Sequence, residues 1–239
     1  RTYHRFWYDR AHCRVEGEQH IMAIPPLSQQ STPTFWQQDP PPMDMDSAIV
    51  LRGDGEPKIA RKLISQLADF ESRVGIELDS FTRGGTVQEL EQRCAMLLGK
   101  DAAVFMPTGT LANHLAIRQL CGSKARALVQ EQSHLYQDTG DCVTQLSGIT
   151  LVPLAPGRPY FTLDEVQEAL RGSHLDRVAR PVGAVMIESP VRRQYGQIVP
   201  YDTLVALTSY CRAQGIATHL DGARLYMMSA ATGISPRQY

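Results

Sequence analysis

The sequence predicts an α/β domain built on a mainly parallel sheet, and three observations carry that prediction. Short apolar runs alternate with segments of helical period along most of the chain. The run Val182–Ile187 contains no polar residue, as expected of a strand covered on both faces. The helical segments carry end signals, with Thr-x-x-Glu boxes at their starts and glycines at their ends.

Residues 1 to 46 stand apart from this pattern. They hold Trp7 and Trp36, the histidines His4, His12 and His20, Pro25-Pro26 and the run Asp39-Pro40-Pro41-Pro42. No helical or strand period is present, so an irregular arm, or a segment ordered only by a partner, is expected. Residues 47–239 read as the domain proper, with its continuous core at 76–239.

Within the domain, Ile59–Phe70 has the spacing of an amphipathic helix. Thr86-Val87-Gln88-Glu89 reads as a capping box that opens a helix through Leu90, Cys94 and Leu97, closed by Gly99. Ala102–Met106 reads as a strand, followed by the turn Pro107-Thr108-Gly109-Thr110 and a helix through Leu111, Leu115 and Leu120. Ala127–Val129 and Thr150–Leu154 read as further strands. Thr162-Leu163-Asp164-Glu165 is a second capping box, opening a helix expected to close near Gly172. Asp202 is placed to cap a helix bearing Leu204, Leu207 and Cys211 and ended by Gly215. Ile216–Asp221 completes the series as a strand.

The composition excludes several classes of function. The formal net charge of −1 gives no general attraction to nucleic acid or membranes. The five cysteines are odd in number, scattered and without a Cys-x-x-Cys pair, which fits idle thiols in the cytoplasm. No apolar run is long enough to span a bilayer, and no signal-peptide pattern is present.

Ligands of open α/β sheets bind beyond the carboxyl ends of the strands. Three segments sit there: Met106–Thr110, Glu188–Pro190 and Asp221–Arg224. In the first, a strand, a tight turn and a helix start bring free N–H groups and a positive helix end together, a geometry that binds phosphate. Gly109 allows close approach and Thr110 adds a hydroxyl. An ordinary threonine-capped helix would look the same. No Walker lysine and no Gly-x-Gly-x-x-Gly follow. In the third segment, the two-residue period of a strand puts His219 and Asp221 on one face, away from Leu220. Asp221 needs a positive partner at the end of a buried strand. Arg224 could supply it. Alternatively Asp221 meets the protonated pyridine nitrogen of a pyridoxal group, and Arg224 is left to bind a substrate carboxylate in a bidentate fork. His134, just after a strand, suits either an ordinary surface or core position or a ring stacked on a cofactor and able to carry protons.

Together these residues resemble the threonine aldolases and aromatic amino acid β-eliminating lyases. The resemblance lies in Phe105–Asn113, in His219–Leu225 and in Gly84–Glu91, occurring in the family's order over about residues 49–239. It implies the pyridoxal-phosphate-dependent transferase fold, a three-layer αβα large domain. It also implies pyridoxal 5′-phosphate as cofactor, with Gly109 and Thr110 on the phosphate, His134 on the ring, Asp221 on the ring nitrogen, Arg224 on the substrate carboxylate and Glu188 close by. His134 and Arg224 would be the catalytic residues, with an amino acid as substrate. A homodimer or homotetramer is expected, with no metal.

The sequence also departs from the family pattern. Its only lysines are Lys58, Lys62, Lys100 and Lys124, so the Schiff-base lysine that should follow Asp221 is absent. Truncation, with the small C-terminal domain missing, is the expected explanation, and the chain alone is then inactive. A non-catalytic fragment or pseudoenzyme that binds a partner subunit is the alternative. Gly53 and Gly55 stand where the family has serine and threonine, and Phe81-Thr82-Arg83 where it has a tyrosine–glycine–aspartate loop. Ser189-Pro190-Val191-Arg192 replaces Asn-Thr-His-Asn. These changes surround the substrate, so the expected activity is aldolase-like (Cα–Cβ cleavage or β-elimination), with a racemase or aminotransferase as the other enzymatic readings. Arg83 and Arg192 are candidate anion contacts or plain surface arginines.

Overall fold

The computed structural model describes residues 59–81, 83–175 and 177–239. The N-terminal arm, Gly53, Gly55 and Thr82 lie outside the described residues. Four strands, β1 (Arg126–Gln130), β2 (Thr150–Leu154), β3 (Val182–Glu188) and β4 (Ala217–Asp221), form one sheet in the order β2-β1-β3-β4. Every pairing is parallel. Pro153, which cannot donate to a ladder, sits in β2 at the sheet edge.

Among the described residues the α-helices are α1 (Ala60–Val74), α2 (Gly85–Leu98), α3 (Gly109–Cys121), α4 (His134–Gln137), α5 (Cys142–Ser147), α6 (Leu163–Leu175), α7 (Tyr201–Ala213) and α8 (Leu225–Thr232). Strand alternation separates two cores. Leu128, Val185 and Ile187 face Val166 and Leu170 of α6 and Leu204, Leu207 and Cys211 of α7. Ala127, Val129, Ala184 and Met186 face Ile117 and Cys121 of α3 and Val143 of α5. Helices therefore cover both faces of the sheet, giving the expected three layers. All seven residues of β3 are buried, as its unbroken apolar run requires. Gly183 permits close packing here, since a Cβ on it would lie 2.6 Å from the Cα of Cys121.

The second capping box forms as read. Thr162 N–H donates to Glu165 Oε2 at 2.8 Å, and Glu165 N–H donates back to Thr162 Oγ1 at 3.3 Å. Its helix runs on past Gly172 to Leu175. The first box does not form. α2 starts earlier, with Gly84 as its cap and Gln88, not Glu89, reaching back to the Gly84 N–H at 2.8 Å. The Thr86 hydroxyl instead accepts from Glu77 N–H at 3.2 Å, because the chain before the helix folds alongside it. Asp202 is likewise no cap. Pro200 occupies that position and Asp202 lies in the first turn of α7, where its charge still suits the helix dipole.

Ala102–Met106, expected as a strand, joins no ladder among the described residues. Phe105 N–H donates to the Glu91 carboxylate at 2.7 Å instead, and Val104 is 71% exposed. The expected helix at 59–70 is present and extends to Val74. Its apolar residues Leu63, Leu67, Phe70 and Val74 all remain exposed.

Candidate active site

The strand ends bring the sequence-predicted residues together. β3 and β4 pair in register so that Glu188 lies opposite Asp221, both buried. Asp221 Oδ2 accepts a hydrogen bond from Asn113 Nδ2 at 2.7 Å, and Oδ1 accepts from Ala223 N–H at 3.2 Å. Asn113 belongs to α3, one turn beyond the Pro107–Thr110 segment, so Asp221 and that turn are tied to one helix. His219 shares the face of Asp221, as the strand period required, and its Nε2 lies 2.8 Å from Asn113 Oδ1. Burial lowers the pKa of His219, opposed in part by the charge of Asp221.

The helix start at Thr108 has the geometry expected of an anion site. Thr108 is the N-cap, its hydroxyl accepting from Leu111 N–H at 3.1 Å. Its carbonyl takes Ala112 N–H. The amides of Gly109 and Thr110 have no acceptor among the described residues. A Cβ on Gly109 would meet nothing within 4 Å, so the turn opens onto free space. The capped-helix reading and the anion reading thus describe the same atoms, because the cap side chain occupies a later amide and leaves the first two facing outward.

Glu188 joins two segments. One carboxylate oxygen accepts the backbone N–H of His134, and the other accepts Arg192 N–H at 3.0 Å. Burial raises its pKa, as does the neighbouring charge of Asp221. The two backbone donors and the nearby Arg224 guanidinium pull in the opposite direction. Arg224, the residue that caps α8, is therefore within electrostatic reach of the same cluster. His134 opens the short helix α4 and is half-buried. Arg192 and Arg193 share the single carboxylate of Asp138, at 3.0 and 2.9 Å, so the Arg192 guanidinium is engaged within the protein. Phe81 is 95% exposed, and Arg83 bridges to Ser80 in a local turn.

Three residues in this region carry more than the sequence pattern had indicated. Asn113 sits on the buried stripe of α3 with Ile117 and Cys121, and a polar residue on an apolar stripe was the available signal. Gln130, fully buried at the end of β1, acts like a peptide group. Its Oε1 accepts Glu188 N–H at 2.6 Å and its Nε2 donates to Glu188 O at 2.9 Å. Ser189 accepts Val199 N–H at 3.0 Å, which holds the loop after β3. A cavity of about 530 Å³ opens beside β4; its lining includes Thr218, His219, Leu220 and Leu225 but not Asp221.

The beta-eliminating lyase family model matches residues 65–239. The chain belongs to the beta-eliminating lyase family. Among curated relatives, the low specificity L-threonine aldolase of Saccharomyces cerevisiae is 30% identical over 152 residues, covering 63% of this chain and 38% of that protein. Aldolase vrtJ of Penicillium aethiopicum is 35% identical over 164 residues, covering 67% of this chain and 41% of that protein. A solved structure described as a candidate L-allo-threonine aldolase of Listeria monocytogenes superposes with a TM-score of 0.65 at 28% identity, over 78% of this chain and 49% of that one. The chain thus spans about half or less of the length of the proteins it matches.

Membership in the beta-eliminating lyase family implies pyridoxal 5′-phosphate as the cofactor. The residues present fit it. A buried carboxylate whose bonds to Asn113 and Ala223 come from neutral N–H donors suits a pyridinium N–H. Two outward amides at a helix start suit a phosphate.

Proposed function

We propose that the protein is a pyridoxal-phosphate-dependent amino-acid lyase of the threonine aldolase type. The single observation that carries this is the placement of Asp221. Its buried carboxylate is tied through Asn113 to the helix whose first amides form the anion site. When bound, pyridoxal phosphate supplies an electron sink that weakens bonds at the substrate Cα.

The residues of this chain have the following parts. Gly109 and Thr110 hold the phosphate through their N–H groups. Asp221 keeps the ring nitrogen protonated by pairing with it. His134 covers the ring and moves a proton at the substrate β-oxygen, with its backbone fixed by Glu188. Glu188 would stand close to the bound cofactor, anchoring the His134 and Arg192 backbones. Arg224 binds the substrate carboxylate. The aldolase-named relatives support Cα–Cβ cleavage of a β-hydroxy amino acid over β-elimination.

The free cysteines Cys94, Cys121, Cys142 and Cys211 support a cytoplasmic location. Among the described residues no helix is long and apolar enough to cross a membrane. The exposed apolar stripe of α1 supports a homodimer or homotetramer.

The test is product analysis on the full-length protein supplied with pyridoxal phosphate and β-hydroxy amino acids. Glycine with an aldehyde is the expected product pair. Ammonia with a keto acid would indicate elimination, and inverted substrate alone a racemase. No turnover of any amino acid would overturn the proposal.

A further inference from the structure

In the reading above Asn113 only ties Asp221 to α3 and His219 has no part, yet the two side chains meet beside Asp221. Asn113 is 6% exposed and its side chain meets Asp221 and His219 together. We propose that His219 and Asn113 are positioning residues, a directional relay that holds Asp221 as an oriented anion for the ring nitrogen of the cofactor. This inference rests on the cofactor reading and deepens it.

The direction follows from donor chemistry. A carboxylate only accepts, so the Asn113 atom 2.7 Å from Asp221 must be its amino nitrogen. The Asn113 carbonyl then faces His219, and a carbonyl also only accepts. The His219 Nε2, 2.8 Å away, must therefore carry the proton. The relay runs one way, from His219 Nε2–H to Asn113 Oδ1, and from Asn113 Nδ2–H to Asp221 Oδ2. Accepting at one end makes an amide a stronger donor at the other. With Ala223 N–H on the second oxygen, each carboxylate oxygen has a fixed N–H donor. A depressed His219 pKa keeps the ring neutral, so the relay adds no positive charge that would compete with a pyridinium for Asp221.

Mutual satisfaction of buried polar groups would produce the same contacts without any role toward a ligand. Two probes separate the cases. Pyridoxamine 5′-phosphate binds without a lysine and presents a ring nitrogen. Its analogue with a ring C–H in place of that nitrogen presents the same phosphate and shape. Binding of each to the chain is measured by calorimetry for the wild type, Asn113→Leu and His219→Gln, with circular dichroism as the check on folding.

The expected result is a roughly tenfold loss of pyridoxamine phosphate affinity in Asn113→Leu, with the carbon analogue changed by less than about twofold. The loss should disappear when Asp221→Asn is already present. Equal losses for both probes, or no loss, would overturn the proposal. If Asn113→Leu does not fold, His219→Gln carries the same comparison with a smaller expected loss. If the wild type binds neither probe, the cofactor reading fails and the relay loses its role with it. Independently of binding, 15N NMR of His219 in the ligand-free chain that showed an Nδ1-protonated ring would overturn the relay alone.

Discussion

Glu188 and Asp221 face each other across adjacent parallel strands, two buried carboxylates whose bonds come from different donors. Asp221 is bonded to a side-chain amide and its own turn, Glu188 to the backbones of two loops. Asp221 is thus held by α3 and its own turn, and Glu188 by the segments that begin at His134 and Arg192.

Glu188→Gln should destabilise the domain. A carboxylate offers an acceptor to each of two N–H groups, whereas an amide offers only one oxygen, so either His134 or Arg192 loses its partner. These donors are only partly buried, so the loss should lie at or below about 1–3 kcal/mol, the cost of an unsatisfied buried donor. Urea unfolding at neutral pH measures this, and a shift of the midpoint to lower urea is expected. The pH dependence has a definite sign. Because the folded state raises the Glu188 pKa above its ordinary 4.5, the native protein binds its proton more tightly than the unfolded chain. The contribution of Glu188 to stability therefore declines as pH rises from 4.5 through the raised value, and Glu188→Gln should remove that part of the slope.

His219 acts in the opposite sense. Its pKa is lowered from 6.5 by burial, so the unfolded chain binds the proton more readily. The stability that His219 contributes is present above pH 6.5 and is lost as pH falls through its depressed folded value. Unfolding free energies collected from pH 8 to pH 5 should show this decline, and His219→Gln should flatten it.

The sheet was legible because buried parallel strands need continuous apolar sequence, and Val182–Ile187 has it. The site was legible where strand period and strand end fix position, as at His219 and Asp221. Ala102–Met106 carries the same kind of apolar run, yet the sequence does not say whether a partner strand lies beside it. Thr86 and Asp202 had the right residue types for caps. Their hydroxyl and carboxylate were displaced by tertiary contacts and by Pro200, which local pattern cannot see. The partners of Asn113 and Gln130 are not legible in local pattern, because each acts across more than fifty residues of sequence; Asn113 shows locally only as a polar residue on an apolar stripe.

Gly183→Ala should destabilise the domain by about 1–3 kcal/mol through overpacking. The new methyl would lie 2.6 Å from the Cα of Cys121, which is backbone and cannot swing aside. A lowered thermal midpoint without loss of helical signal is the expected outcome.

Asp138→Ala should free the loop that carries Arg192 and Arg193 at little cost to global stability. Both ion pairs are partly exposed, so they contribute only about 0–1 kcal/mol. Limited trypsin digestion reads the local effect directly. Faster cleavage after Arg192 or Arg193 than in the wild type, with an unchanged unfolding midpoint, is expected.

If Asp221 organises a pyridoxal-phosphate site in this chain, titration with pyridoxamine 5′-phosphate should distinguish the wild type from Asp221→Asn. Saturable binding by the wild type, weakened by roughly tenfold or more in Asp221→Asn while the fold is retained, is the expected result. Equal affinity in the two proteins, or no binding by the wild type, would contradict it.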